Sequence, residues 1–228
     1  ATPPVGNFTW VTCGKYVSCA VAGDGSVECW GLDDTGQATP PALDTFVQVT
    51  CGYHHCCGLH TDGSAQCWGS NLVGEGNVPN ETFVEIWAGH YFTCGRNTID
   101  EIHCWGGTDW DALLSPPGAW EQITAGGFFG CALDAAGRVE CWGYNGDNQH
   151  NEPNVQAQLV DAGVVHVCLI TVKGETLCWG RNNTGQCSVP PESFVMLSGG
   201  HDHSCGMKAD GTIVCWGANN WGQCNVPP

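Results

Sequence analysis

The stretch that decides the fold runs from Cys131 to Gly143 and reads Cys-Ala-Leu-Asp-Ala-Ala-Gly-Arg-Val-Glu-Cys-Trp-Gly. Two cysteines stand ten residues apart with a glycine between them, and Trp-Gly follows the second. The same frame returns at Cys19 and Cys29, Cys57 and Cys67, Cys94 and Cys104, Cys168 and Cys178, and Cys205 and Cys215. The Cys-Trp-Gly triplets begin at 29, 67, 104, 141, 178 and 215, a period of 38 once and 37 thereafter, so six copies fill all 228 residues. A repeat of ~40 residues holding several short strands is the signature of a propeller blade. Five copies carry glycine at the turn (Gly25, Gly63, Gly137, Gly174 and Gly211), three of them as Asp-Gly. Such turns need residues that tolerate positive φ. In the resulting hairpin the two cysteines face each other on neighbouring strands, with Cα atoms ~4.5–5.5 Å apart. That lies within the span of a disulfide. Six intra-blade disulfides are therefore expected. In the third copy Asp100 replaces the turn glycine, and a turn of another type is expected there.

The flanks complete the blade. Five residues before each first cysteine stands a glycine: Gly14, Gly52, Gly89, Gly126, Gly163 and Gly200. An apolar, strand-forming run precedes it, as in Phe8 to Thr12, Phe46 to Thr50 and Phe83 to Trp87. Asn and Gly-Gln elements follow Trp-Gly, as in Gly180 to Gln186 and Gly217 to Gln223. The pattern Gly-x-x-His-x-Cys-Gly-Leu-x-x-Asp-Gly-x-x-x-Cys-Trp-Gly-x-Asn from Gly52 to Asn71 resembles the repeat of the regulator of chromosome condensation family. The cysteine-bearing form is similar to the ectodomain repeats of plant crinkly-type receptor kinases and of secreted bacterial propellers. That resemblance covers the whole chain and implies a propeller. Its family includes exchange factors, receptor ectodomains and protein inhibitors, so it does not choose a function.

Composition narrows the classes. Strand formers lie in short runs punctuated by 33 Gly and 12 Pro, and no window shows sustained helical periodicity. Seventeen cysteines, twelve of them in regular pairs, point to an oxidising compartment, hence a secreted or cell-surface protein. Zinc is the other reading of many cysteines, but ten-residue spacing lacks the Cys-x-x-Cys knuckle. Nothing approaches ~18 consecutive apolar residues, so no membrane insertion is expected. The chain opens Ala-Thr-Pro-Pro, as expected once a signal peptide is removed. Asn7, Asn80 and Asn182 head glycosylation sequons. A formal charge of −17 with six basic residues opposes nucleic-acid binding. It suits solubility in an extracellular setting, and no acidic loop has a Ca²⁺ ligand register.

Five cysteines lie outside the hairpins: Cys13, Cys51, Cys56, Cys187 and Cys224. Cys13 and Cys51 are equivalent by repeat, as are Cys187 and Cys224, and these four are candidates for closure disulfides. Spacing does not choose between a Cys13–Cys224 staple and pairing of like with like. Cys56 has no repeated counterpart and is the candidate free thiol.

The four residues between each glycine and the first hairpin cysteine vary strongly: 15–18, 53–56, 90–93, 127–130, 164–167 and 201–204. Their third column (Val17, His55, Phe92, Phe129, His166, His203) reads as inter-blade packing. Tyr16, Tyr53, His54, Tyr91 and Phe128 read as a binding face, because aromatic side chains are typical interface anchors. The loops after Trp-Gly add Trp110, Tyr144 and Trp221, whose aromatic rings beside Asp and Asn have the composition of a sugar-binding shelf. The six repeated residues Trp30, Trp68, Trp105, Trp142, Trp179 and Trp216 read as core. No nucleophile elbow, phosphate loop or zinc-helix motif is present. Only the cluster His54-His55-Cys56 and the pair His201/His203 invite a metal or Cys–His reading.

The expectation is an all-β, six-bladed β-propeller of 37–38-residue blades, each with an intra-blade disulfide, forming a single domain over 1–228. The repeats fall near 1–37, 38–75, 76–112, 113–149, 150–186 and 187–228. The expected function is a secreted, non-catalytic binding or assembly module without a cofactor. Its partner would be an extracellular protein or a second copy of itself. Carbohydrate binding on the Trp/Tyr loops is the alternative, and a metal or enzyme site at His54–Cys56 the third reading.

Overall fold

The computed structural model describes residues 4–107 and 111–226. Eighteen strands among them form six three-stranded antiparallel meanders, the blades of a six-bladed β-propeller. The chain makes two compact units, Ala1–Gly118 and Ala119–Pro228.

In the first unit, β1 (Phe8–Cys13), β2 (Val17–Ala22) and β3 (Val27–Gly31) form blade one. Blade two is β4 (Gln48–Cys51), β5 (His55–Leu59) and β6 (Ala65–Gly69), and blade three is β7 (Phe83–Ala88), β8 (Phe92–Asn97) and β9 (Ile102–Gly106). In the second unit, β10 (Gln122–Ala125), β11 (Phe129–Leu133) and β12 (Val139–Gly143) form blade four. Blade five is β13 (Ala157–Ala162), β14 (His166–Thr171) and β15 (Thr176–Gly180), and blade six is β16 (Met196–Gly199), β17 (His203–Met207) and β18 (Ile213–Gly217).

The hairpin register sets each cysteine opposite its partner, as in Cys131↔Cys141. Six bridges follow from it. In the first unit they are Cys19–Cys29, Cys57–Cys67 and Cys94–Cys104. In the second they are Cys131–Cys141, Cys168–Cys178 and Cys205–Cys215. Their Cα atoms lie 4.0–4.1 Å apart, closer than the opposed-strand spacing suggests. The two ends of a bridge are not equally covered. The first cysteine sits on the middle strand, between two others, whereas Cys29, Cys67, Cys104, Cys178 and Cys215 sit on the third strand and are half-buried. Blades four and six are the exceptions, with both ends buried in Cys131–Cys141 and both half-buried in Cys205–Cys215.

The five turn glycines adopt φ of 82–86°. Asp100 does the same at φ 64°, and its turn keeps the bonding of the others, Asn97 N to Glu101 O and Asp100 N to Asn97 O. The turn of another type is therefore not formed. Aspartate is one of the few side chains that tolerate this region, and the Arg96 guanidinium 2.5 Å from its carboxylate holds it there.

A seventh bridge joins Cys51 to Cys56. This corrects two expectations, Cys51 as a closure cysteine and Cys56 as the free thiol. The β4–β5 ladder places Cys51 against Cys56. In blade one the same ladder sets Cys13 against Ser18, so Cys13 has no thiol to meet. Cys13, Cys187 and Cys224 are in no disulfide. The last two do not serve as closure cysteines because each Sγ turns into its own loop, donating to Arg181 O and Ala218 O at 3.3 Å.

Cores lie between successive blades. Val17, Cys19, Val21 and Val49 pack between blades one and two, and Leu59, Phe83, Ile86 and Trp105 between two and three. Phe129, Leu133, Val160 and Leu169 do so between four and five, and Ile170, Phe194, Leu197 and Trp216 between five and six. The repeated indoles tie blades in sequence: Trp68 and Trp105 donate to Gln37 O and Glu75 O at 3.1 Å. Trp179 and Trp216 donate to Gln149 O at 2.7 Å and Gln186 O at 2.9 Å. No helix among the described residues is long and apolar enough to cross a membrane.

Candidate binding surface

The turn between the first two strands of a blade is built on its glycine. Gly14, Gly52 and Gly89 each donate to the carbonyl three residues on, at 2.8–2.9 Å. Neighbouring turns are then linked, Lys15 N to Gly52 O and Tyr53 N to His90 O, both at 3.1 Å. A Cβ on Gly52 would collide with Gly89 O and come within 2.6 Å of His55 Cε1, so only glycine fits. The ring that crowds it is the third residue of the turn. Val17, His55 and Phe92 are buried in this way, which leaves the first two residues of each turn at the surface.

Those residues meet. Tyr16 and Tyr53 rings lie edge to face with centroids 5.5 Å apart, and Tyr53 stacks on Tyr91 at 5.5 Å and 15°. His54 lies 4.3 Å from the Tyr53 ring, and His90 meets the same ring edge-on at 5.3 Å. Lys15 Nζ sits 4.0 Å from the Tyr53 centroid and 5.2 Å from that of Tyr16. It donates to the Tyr53 hydroxyl at 2.9 Å. That bond raises the Lys15 pKa and lowers that of the Tyr53 phenol. Asp34 stands 3.8 Å from His54 Nδ1. Tyr16 is 48% exposed. The surface therefore offers aromatic faces with hydroxyl, imidazole, ammonium and carboxylate groups at their edges, the makings of an interface anchor.

Of the expected face, Tyr16, Tyr53, His54 and Tyr91 come together in the first unit. Lys15, His90 and Asp34 join them unforeseen. The signal for Lys15 and His90 was their column, the first residue of each turn. Phe128 and Tyr144 lie in the second unit, half-buried, with Tyr144 N donating to Phe128 O at 2.9 Å. The Tyr144 ring folds over Gly146. Trp221 is 93% exposed on a turn held by Gln223. Trp110 lies outside the described residues.

The three side chains of the His54–Cys56 cluster go three ways, which overturns its reading as a metal or Cys–His site. His54 faces Tyr53 and Asp34, Cys56 is bonded to Cys51, and buried His55 pairs with Thr93 Oγ1 at 2.9 Å. Burial pushes His55 and His166 down to about 4, so both are neutral at pH 7. His201 pairs with Asp202 at 2.6 Å, while His203 packs over Gly200. The sequon residues Asn7, Asn80 and Asn182 are exposed. Asn182 also accepts the Cys187 amide at 2.9 Å.

The family model described as the regulator of chromosome condensation (RCC1) repeat matches residues 46–75, 120–149 and 197–223. Among solved structures, the chain is similar to the entire ectodomain of the receptor kinase CR4 from Physcomitrella patens, with a TM-score of 0.82 at 26% identity. The match covers 94% of this chain and 63% of that one, so the chain spans less than two thirds of that ectodomain. It is also similar to the CRINKLY WD40 ectodomain of the Arabidopsis thaliana receptor kinase ACR4, with a TM-score of 0.81 at 26% identity over 95% and 82% of the two chains. Prp20p from Saccharomyces cerevisiae shares the fold, with a TM-score of 0.82 at 15% identity over 96% and 73%. No curated protein matches the chain.

Proposed function

Because the chain is a propeller of regulator of chromosome condensation-like repeats with a cysteine pair in each blade, we propose that it is a secreted, non-catalytic protein-binding module. In this reading an extracellular protein, or a second copy of the chain, docks on the aromatic turns of the first three blades. The observation that carries it is the contact of Lys15, Tyr16, Tyr53, His54, His90 and Tyr91 across three turns. The blade asks nothing of these positions, since its packing uses the third residue of each turn. Seven disulfides and the ectodomain neighbours support secretion. The charge of −17 argues against nucleic acid as partner.

The test compares wild type with a Tyr53→Ala/Tyr91→Ala variant, using sedimentation velocity for self-association and capture from extracellular fluid for other partners. Losing a central aromatic anchor should weaken binding by at least about tenfold. The melting temperature should stay within about 2 °C, as expected for surface substitutions. Equal binding by both proteins would remove the surface from consideration. Trp221 supports a second reading, stacking against a sugar ring, and glycan-array binding abolished by Trp221→Ala would establish it.

A further inference from the structure

Two disulfides meet between the first and second blades. Cys51 Sγ lies 3.4 Å from Cys19 Sγ, and Cys56 Sγ lies 3.8 Å from it. Each is already bonded, Cys19 to Cys29 and Cys51 to Cys56. At the equivalent contact of blades two and three, Cys57 Sγ faces a hydroxyl, Thr93 Oγ1 at 3.5 Å. Between blades five and six, Cys168 Sγ faces Ser204 Oγ at 3.8 Å. Blade two departs because Cys56 takes the place of Thr93 and Ser204, with Cys51 beside it on the ladder. Cys19, Cys51 and Cys56 are buried, whereas Cys29 on β3 is partly exposed.

We propose that this four-sulfur contact is a thiol–disulfide exchange site for a low-molecular-weight thiol, which enters at Cys29 and leaves an inter-blade Cys19–Cys51 bond. The external thiolate attacks Cys29 Sγ. The Cys19–Cys29 bond breaks, its electron pair passes to Cys19, and Cys29 carries a mixed disulfide. The Cys19 thiolate is then stranded among Val17, Val21 and Val49, where a charge is poorly solvated. Its nearest sulfur outside its own bridge is Cys51, which it meets side-on in the bridged structure. Released from Cys29, the Cys19 side chain turns into line with the Cys51–Cys56 bond, and attack on Cys51 forms Cys19–Cys51 while the electron pair of that bond passes to Cys56. Cys56 takes up the proton that the entering thiol gave to solvent, and Gln37 O, 3.5 Å from its Sγ, accepts the new S–H. One thiol is consumed and one appears, and two disulfides become two others, so no oxidant or reductant is needed. The product fastens blades one and two covalently, a link absent from the starting structure.

The test treats native protein with glutathione at about pH 8, where a thiol of ordinary pKa is partly ionised. The sample is quenched with acid, alkylated without reduction and mapped after peptic digestion. Glutathione on Cys29, a Cys19–Cys51 cross-link and alkylated Cys56 in matching amounts are expected. The near-UV circular dichroism should be retained. In the Cys51→Ala/Cys56→Ser variant, which restores the hydroxyl found in other blades, Cys19 should be alkylated instead. Alkylated Cys19 with an intact Cys51–Cys56 bridge in the wild type would overturn the proposal, as would a statistical mixture of pairings.

Discussion

Asp161 stands where other blades hold Thr50 and Thr124, and the three side chains do the same work. Each accepts an amide from the next blade: Ala88 N to Thr50 at 2.9 Å, Ala162 N to Thr124 at 3.0 Å, and Gly199 N to Asp161 at 2.6 Å. The carboxylate is the costly choice, since burial pushes Asp161 up to about 7. The folded chain then holds a proton that the unfolded chain has lost, so this group's stabilisation falls as pH climbs from about 4 to about 7. Asp161→Asn should remove that fall. Relative to wild type it should gain on the order of 1–3 kcal/mol across the window, read from chemical denaturation at several pH values. His166 works in the opposite sense. Held down to about 4, it releases its proton on folding, so its contribution is present above about 6.5 and lost as pH falls. Ser204 donates to Gln186 O at 2.9 Å as well as meeting His166 at 2.7 Å, so it keeps a partner without the imidazole. Phe129 fills the same column in blade four. His166→Phe should therefore cost about 1 kcal/mol or less at pH 7.5 and raise the melting temperature relative to wild type at pH 5.

Within a blade the turns dictate which residues are replaceable. Gly52→Ala sets a methyl against the backbone of blade three and the His55 ring and should cost about 1–3 kcal/mol. Gly174→Ala meets open space but stays at φ 83°, and only the left-handed penalty of about 1–2 kcal/mol applies. Urea denaturation of the two variants reads the difference; the claim of a tight inter-blade contact fails if Gly52→Ala is the milder. The hairpins were legible in the sequence because ten residues and a glycine force one register, and every bridge from Cys19–Cys29 to Cys205–Cys215 follows. Cys51–Cys56 was not, because comparing equivalent columns matches Cys51 with Cys13, whereas the bond forms across the ladder. Two cysteines five positions apart across the Gly52 turn were the available sign. The Asp100 turn was not legible either, because a missing glycine does not forbid the left-handed conformation when aspartate and a nearby Arg96 replace it. The aromatic surface was half legible. Its columns could be picked out, but the seating of Lys15 over Tyr53 depends on the link from Lys15 N to Gly52 O.

Over the whole chain, 23 acidic residues face 6 basic ones. Like charges at this excess repel one another in the folded state and are screened within ~10 Å at 0.1 M salt. Raising NaCl from about 10 to about 150 mM should therefore raise the melting temperature, by a few degrees if the relief is about 1 kcal/mol. An unchanged or lower value would mean that the local pairs, such as Arg181 with Asp147, outweigh the net field. The indole bonds bear on a different matter, how such a chain can change length. Among the described residues Trp68, Trp105, Trp179 and Trp216 each reach back to a carbonyl in the preceding repeat. The heritable module is thus the link between two repeats rather than one blade. A deletion or duplication of one repeat leaves each of these four indoles a carbonyl at the proper distance, because the fused repeat regenerates both ends of the link. A change that is not a whole number of repeats strands one when it falls between a carbonyl and its indole.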